Sequence, residues 1–501
     1  SLFRLSPARC AARLPYIARF TSTITGVNSR YQCESGRPSM IEVEVTTSDG
    51  HFCSSFSPSC HVEINDDVSR FTSAIARGIV GMEVVDQCEI DNAVTTSLDG
   101  TCKEEGKGTF GGVKVGGIVE KATRWASGDD WMARKGMRVC NTTTLAEGIK
   151  YAVSVAVSKA GAAASGVPLH SHYTALAGRK SHTTGTILPV PLFRVIKGSM
   201  PTHSGTVVQE YLIIPAGASS FSEAVQMGSE VNKSLLSLIG PKSGKKEVEN
   251  ENEGQAGTAA SLSDDTMRGC LELLTEAIDQ AGCSQIVKIG MGASACTSYN
   301  HLFGGYNMDF KGANILEEEF LYCYAAPLML EIYTSLIRDF DLVYLEDPFV
   351  WKDIQSLCEL TSSAPIQIVG DELFASRPHR IAEAIEKKAC NGLVYTIGSS
   401  SSISDSIATC TSAHDIGWSV TCGLDKGCTD TAHAADLAVG IHAGQIKTDI
   451  SDRLAQSFCT RVVEIEEELG SHAAYAGSRK LQNNRGLGKE KKKNETAEQL
   501  Y

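Results

Sequence analysis

Two stretches of the chain set acids at the ends of apolar runs: "LVYLEDPFV", residues 342–350, and "IQIVGDELF", residues 366–374. Leu342, Val343, Tyr344 and Leu345 read as a buried strand, so Glu346 and Asp347 fall where that strand meets its loop. The second run ends on Asp371 in the same way. Core strands that aim carboxylates at one place can bind a cation, move a proton, or simply pair with counter-charges among themselves.

The elements that would bring the acids together are legible from Leu188 onward. Short apolar runs ("LPVPLFRVI", "EYLIIP", "VKIGM", "LVYLEDP", "IQIVGD", "GLVYTI" and "WSVTC") alternate with amphipathic segments such as "MRGCLELLTEAIDQAG" and "RPHRIAEAIEKKAC". That alternation over almost 300 residues predicts an α/β fold of TIM-barrel type. Functional groups of such barrels lie at the C-terminal ends of strands, so Glu346 and Asp371 are expected to converge on the barrel mouth.

Ahead of the barrel, "SMIEVEVTTSDGHFCSSFS" alternates apolar and polar residues around Asp49-Gly50, a hairpin signal. From about Asp66 to Leu169 the pattern is helical, and "LAEGIKYAVSVAVSKAGAAASGVPL" has the Ala and Gly content of a tightly packed helix. The Gly-rich stretch near 105–117 reads as loop or hairpin, because it lacks the strand and Lys-Ser/Thr context of a phosphate loop. Residues 241–265 are charged and poor in apolar side chains, a loop composition. The division is a basic leader at 1–23, an α+β domain at 24–180, the barrel at 181–475 and a basic tail at 476–501.

A length of 501 residues, 42% hydrophobic, allows a substantial core, and the formal net charge of −13 argues against nucleic acid as a main partner. Seventeen cysteines without a CxxC pair or a His-spaced cluster predict reduced thiols and no structural zinc. No uninterrupted apolar run is long enough to predict a membrane span. Arg4, Arg9, Arg13, Arg19 and Arg30 precede the first acid, Glu34, which reads as a mitochondrial transit peptide or as a plain basic extension, the latter leaving a cytoplasmic or cytoskeleton-associated location open. The tail reads as a solvated end or as a docking segment for an assembly partner.

Six ordered blocks carry a resemblance: "LPVP" with "QEYLIIPAGASSFSEAVQMGSEV" (209–231), "LEDPF" (345–349), "IVGDEL" (368–373), "RIAEAIEKKACNGL" (380–393), "DLAVGIHAGQIKT" (436–448) and "IEEELG" (465–470). On these the chain, from about residue 24 to 475, resembles the enolase family. The resemblance implies an N-terminal α+β domain before the barrel, a homodimer, and magnesium-dependent conversion of 2-phosphoglycerate, a small phosphorylated carboxylate, into phosphoenolpyruvate in glycolysis (phosphopyruvate hydratase). That reaction removes a proton beside a carboxylate, so the site must concentrate positive charge; the handling of this superfamily by a Lys or His base with one or two magnesium ions is well established.

Carried over by the resemblance, Glu346 and Asp371 are metal ligands and Lys447 in "GQIKT" is the surviving catalytic lysine. Glu210, after Gln209 in "QE", and Glu253 in "NENEGQ" stand for the two acid-side glutamates, with Gln209, Lys426 and Lys447 toward substrate. Other positions depart from the family. Gly292 in "VKIGMGAS" stands where a third metal carboxylate is expected. Thr396 in "GLVYTIG" stands where the family's base lysine is. "GLDKGC" replaces "SHRSGE", putting Leu424, Asp425 and Lys426 where His, Arg and Ser bind anions, and "PSC" at 58–60 shortens the closing loop. The His of a further family segment aligns with Pro201, with His203 close by.

These departures imply an enolase-shaped protein with little or no turnover and a weakened magnesium site, kept as a binding or structural module. Two alternatives stand beside it. One is an active phosphopyruvate hydratase or related lyase using Lys426, Glu253 or His203 as a substitute base; the other is a subunit of an organellar or cytoskeletal assembly.

Overall fold

The structure, a computed structural model, describes residues 22–32, 40–56, 65–104, 142–178, 186–197, 208–239, 267–301, 303–307, 323–371, 373–374, 378–398, 402–424 and 428–477. The readings made for the leader up to residue 21, for 58–60, 105–117, Pro201 and His203, 241–265 with Glu253, Asp425 and Lys426, and the tail from 478 lie outside the described residues.

Three antiparallel strands open the fold: β1 (Ile24–Gln32), β2 (Met40–Thr47) and β3 (His51–Phe56), in sheet order 1-2-3. Strict alternation along β2 turns Ile41, Val43 and Val45 into the core, as a sheet with one solvated face requires. The hairpin forms around Asp49-Gly50. Thr47 N donates to the Gly50 carbonyl at 2.8 Å, and the Thr47 hydroxyl accepts from the Asp49 and Gly50 amides, each at 3.2 Å.

Among the described residues four helices follow: α1 (Asn65–Ile79), α2 (Gln87–Glu104), α3 (Thr142–Ser165) and α4 (Leu169–Leu176). The small residues of α3 do what the composition predicted. A Cβ on Gly161 would lie 3.0 Å from both the Val84 carbonyl and His172 Nε2, a tighter approach than most side-chain carbons make, so glycine suits it. Ile149, Ala152, Val153 and Ala156 of α3 belong to the N-terminal core, whereas its Tyr151 and Val155 belong to the barrel core. One helix therefore serves both hydrophobic cores.

After β4 (Thr186–Leu188), which pairs with the last strand, β16 (Ala473–Tyr475), comes the barrel. It closes through β5 (Val190–Lys197), β6 (Glu210–Ile214), β7 (Lys288–Gly292), β11 (Leu342–Glu346), β12 (Gln367–Gly370), β13 (Gly392–Ile397), β14 (Ser419–Leu424) and β15 (Gln445–Asp449). The short strands β8 (Tyr299–Asn300), β9 (Gly305–Asn307) and β10 (Cys323–Tyr324) form a separate small sheet. Around the barrel run α5 (Phe221–Ile239), α6 (Met267–Gln280), α7 (Ala326–Asp339), α8 (Ile354–Ser363), α9 (Pro378–Lys387), α10 (Ile403–Asp415), α11 (Thr431–Gly440) and α12 (Arg453–Leu469). The barrel expectation holds, with one modification: β6 runs antiparallel to both β5 and β7. Antiparallel neighbours need no crossover helix between them.

Buried polar groups fasten the two parts. Tyr151 and Tyr173 hydroxyls meet His433 Nε2 and Nδ1 at 3.0 and 2.8 Å, so one hydroxyl donates to the bare ring nitrogen and the other accepts from the ring N–H. Ser154 of α3 accepts from Ile403 N at 2.9 Å and Asp91 of α2 accepts from Ser404 N at 3.1 Å, so N-terminal side chains cap the first turn of α10. On the barrel's flank, Glu466 of α12 accepts from Phe221 N and Ser222 N at 2.6 and 2.9 Å and caps α5. Among the described residues no single helix is long and apolar enough to cross a membrane.

Burial pushes His433 down to about 4 against the pull of Asp430, and burial alone pushes His172 down to about 4. An unfolded histidine titrates near 6.5, so between that pH and about 4 the unfolded chain binds protons that the folded chain refuses. Stability is therefore expected to fall as pH drops through this window. Urea titrations from pH 7 to 4.5 should show His433→Gln flattening the slope by up to about 1.4 kcal/mol per pH unit relative to wild type. An unchanged slope would mean His433 carries its charge in the folded state.

Candidate functional site at the barrel mouth

Register brings the charged strand ends together. Glu210 of β6 pairs with Gly292 of β7, Gly292 pairs with Glu346 of β11, and Asp449 of β15 pairs with Arg194 of β5. Alternate residues of a strand share a face, so Lys447 lies on the inward face with Gln445 and Asp449. Below the mouth, Thr421 donates to Gln445 at 2.8 Å and Gln445 donates to Gln367 at 2.6 Å, a polar layer that fixes the floor.

Lys447 stands at the centre of the acids. Its ammonium lies 2.7 Å from Glu346 Oε1, 3.1 Å from Glu210 Oε2 and 4.0 Å from Asp371 Oδ2. Glu346, with only 4% of its side chain exposed, also accepts from the Tyr344 hydroxyl at 2.8 Å, which engages its second oxygen. Asp347 holds the neighbouring loop: its oxygens accept from Asp371 N at 2.9 Å and Leu373 N at 3.3 Å. The backbone of Asp347 adopts a φ of 45° to make that clamp, a left-handed conformation rare for residues other than Gly, Asn and Asp. The second acid of "LEDPF" thus positions Asp371 rather than joining the cluster.

The charge pattern extends beyond what the motifs indicated. Arg194 Nη1 lies 2.7 Å from Glu210 Oε1, Arg194 Nη2 lies 3.3 Å from Asp449 Oδ2, and Lys197 Nζ lies 2.6 Å from the same Asp449 oxygen. Anion and cation alternate in the order Lys197, Asp449, Arg194, Glu210, Lys447, Glu346. Burial alone would raise the Glu210 pKa, but Lys447 and Arg194 outweigh it and hold the carboxyl at about 2. Burial alone would lower the Lys447 pKa, yet Glu210, Glu346 and Asp371 hold it well above the ordinary lysine range. Asp449 is held below the usual carboxylate range, with Lys197 and Arg194 overcoming its burial.

Of the residues named from sequence, Glu210, Glu346, Asp371 and Lys447 are brought together. Gln209 lies at the rim, its amide N donating to Gly292 O at 2.9 Å and its side chain 3.5 Å from Thr297 Oγ1. Thr396 sits on β13 opposite Gly423 of β14, a sector of the mouth without charge on either strand. Arg194 and Lys197 were missed. The signal was two cations inside the apolar run "PLFRVIK", but residues three apart share a strand face only across a bulge, and the register between β5 and β6 shifts between Arg194 and Ile196.

The expected magnesium site does not form from these residues. Glu346 has both oxygens engaged, Glu210 is held from two sides by cations, and Gly292 contributes no donor. Among the described residues no group of three His, Cys, Asp or Glu side chains is placed to hold a metal ion. A divalent cation in octahedral geometry needs carboxylate oxygens that no ammonium already occupies.

A closed eight-stranded barrel with strand-end acids around a buried lysine, preceded by an antiparallel sheet and helices, defines a TIM-barrel protein of enolase type. A sequence model of the enolase C-terminal TIM barrel domain matches residues 185–484. Enolase 2 of Hevea brasiliensis is 33% identical over 480 residues, covering 91% of this chain and 97% of that protein. The chain belongs to the enolase family.

Removing one partner of a buried pair strands the other charge. Lys447→Met should cost about 3–5 kcal/mol in urea unfolding, and Lys447→Met with Glu346→Leu together should cost less than the sum of the single changes by at least about 1 kcal/mol. Simple additivity would show that the 2.7 Å contact contributes no coupling.

Proposed function

We propose that this enolase-family barrel has lost effective dehydration of 2-phosphoglycerate and serves as a binding or structural module. The observation that carries the reading is the pairing of two facts at one mouth. Thr396 occupies the position of the family's base, and Lys447, the lysine that remains, is fixed by carboxylates. A base must present a lone pair to a carbon-bound proton; a threonine hydroxyl at neutral pH is too weak, and an ammonium held by anions has none to offer. Loss of the carboxylate at Gly292 weakens magnesium binding in the same direction. Asp425, in the position of an anion-binding Arg, opposes a phosphate dianion.

The family's dimeric habit supports a homodimer, and the Arg-rich leader supports a mitochondrial location, with cytoplasmic or cytoskeleton-associated placement as the alternative. The basic tail would then supply the contact to an assembly partner.

The test is phosphoenolpyruvate formation from 2-phosphoglycerate by the purified, folded chain at saturating magnesium, beside a Glu346→Ala control. No rate above the control is expected, and Thr396→Lys alone should not restore one, because the metal side of the site is still incomplete. A rate within about a hundredfold of a typical enzyme turnover of ~10 s⁻¹, abolished in the control, would establish a substitute base and overturn the proposal.

A further inference from the structure

We propose that the basic C-terminal segment of this chain, from Arg485 to Lys493, docks in an acidic cleft at the end of the barrel opposite the mouth. The inference goes beyond the reading of the mouth and does not depend on it.

The cleft has a volume of about 400 Å³ and lies between α6, α7 and the starts of β7 and β11. Val287 and Ile289 belong to its buried floor, and five carboxylates line it: Glu272, Glu276, Asp279, Asp339 and Asp341. Two of the five are met by cations close at hand. Arg268 Nη2 and Arg338 Nε lie 2.7 and 3.0 Å from Asp339, and Lys288 pairs with Asp341. The other three stand on one exposed face of α6, at spacings of four and three residues, and among the described residues none of them has an ion pair. Neutral donors reach two of them, the Gln280 amide to Glu276 at 3.3 Å and the Ser284 hydroxyl to Asp279. Like charges at such spacings destabilise a helix, so the stripe repels itself until a cation covers it.

The described chain comes to its last residue beside this cleft. A Cβ on Gly477 would lie 3.3 Å from the Ala216 carbonyl, and the Tyr475 hydroxyl donates to the Pro215 carbonyl at 2.9 Å. The next link is Gly217 N, which donates to the Ile286 carbonyl at 2.9 Å, and Ile286 immediately precedes Val287 of the floor. Only a few residue spacings therefore separate Gly477 from the acids. What continues from Gly477 is strongly basic: Arg479, Lys480, Arg485, Lys489, Lys491, Lys492 and Lys493 occur against one acid, Glu490, in a chain whose formal net charge is −13. An extended chain gains at most about 3.5 Å per residue, so Lys489 can reach about 40 Å from Gly477, ample for the cleft. Each exposed ion pair is weak by itself, but a short tether keeps the cations at a high effective concentration over the acids. A partner that takes the tail must then compete with this cleft for it.

The test uses the full chain. Carbodiimide, which joins a lysine amine to a carboxylate as an amide only where the two touch, should link Lys489, Lys491, Lys492 or Lys493 to Glu272, Glu276 or Asp279 in protein of monomer mass. Tryptic cleavage at Lys489–Lys493, normalised to cleavage of a free peptide of residues 478–501, gives the second readout. At about 20 mM salt, wild type is expected to be cut at least about threefold more slowly than a Glu272→Gln, Glu276→Gln, Asp279→Asn triple variant, with the difference gone at about 0.5 M, where screening is short-ranged. Equal normalised rates in the two proteins at low salt, or tail cross-links confined to other acids, overturn the proposal. Cleft cross-links found only at dimer mass also overturn it, by assigning the tail to a second copy. Should the triple variant fail to fold, the wild-type comparison between low and high salt decides, and a normalised rate unchanged by salt rejects docking.

Discussion

The structure of the barrel mouth depends on one buried ammonium. Three strand-end acids, Glu210, Glu346 and Asp371, lie within 4.0 Å of Lys447, and carboxylates drawn this close in a water-poor setting repel unless a cation stands among them. The cost of desolvating each charge is several kcal/mol, so the cluster holds only because nearly every charge has a partner at hydrogen-bond distance. The pairing fixes strand ends as well as charges. Lys447 ties β15 to β6 and β11, Arg194 ties β5 to β6 and β15, and together they lace the barrel rim at the seam where β5 meets β15.

The seam is also where the N-terminal part gains its hold. His433 lies in α11, the helix preceding β15, and its ring is shared between Tyr151 and Tyr173 from helices that precede the barrel. Asp430 begins the same helix, accepting from His433 N at 3.2 Å, and it takes an ion pair from Lys159 of α3 at 2.6 Å. The close approach this needs is made by glycine: a Cβ on Gly440 would lie 2.5 Å from Tyr173 Cβ. Helix α11 is therefore held on one side by an aromatic and polar clasp while the next strand carries the mouth lysine. Loss of that clasp would loosen the element that positions Lys447.

How much of this could be read from sequence follows from what each signal reports. Seven barrel strands announce themselves as apolar runs, because strands covered on both faces are apolar throughout. The eighth, β15, reads "QIKTD": Gln445 faces the polar floor, Lys447 and Asp449 face the charged mouth, and only Ile446 supplies the expected apolar character. Its inward face is polar where it meets the floor and the charged mouth, so the hydrophobic signal failed there. The antiparallel course of β6 was illegible for another reason, since an apolar strand covered on both faces reads the same in either direction. Glu346 and Asp371 were placed correctly because each ends a run. Arg194 was not, because its inward aim depends on a bulge and strand alternation counted from Leu192 cannot supply the partner Lys197 on the same face.

The charge alternation bears directly on chemistry. Proton abstraction from carbon requires a group that is unprotonated, basic and free to approach the substrate. At this mouth the groups divide into cations that the acids keep protonated and acids that the cations keep ionised, with Glu210 at about 2 and Lys447 far above neutrality. An acid held at about 2 is a poor proton donor at neutral pH, and a lysine held far above it is a poor acceptor. The pairing of these charges therefore holds Glu210 and Lys447 away from the range in which either exchanges a proton readily near neutral pH. The mouth's charges are met from within the protein, Glu210 by Arg194 and Lys447, and Glu346 by Lys447 and the Tyr344 hydroxyl.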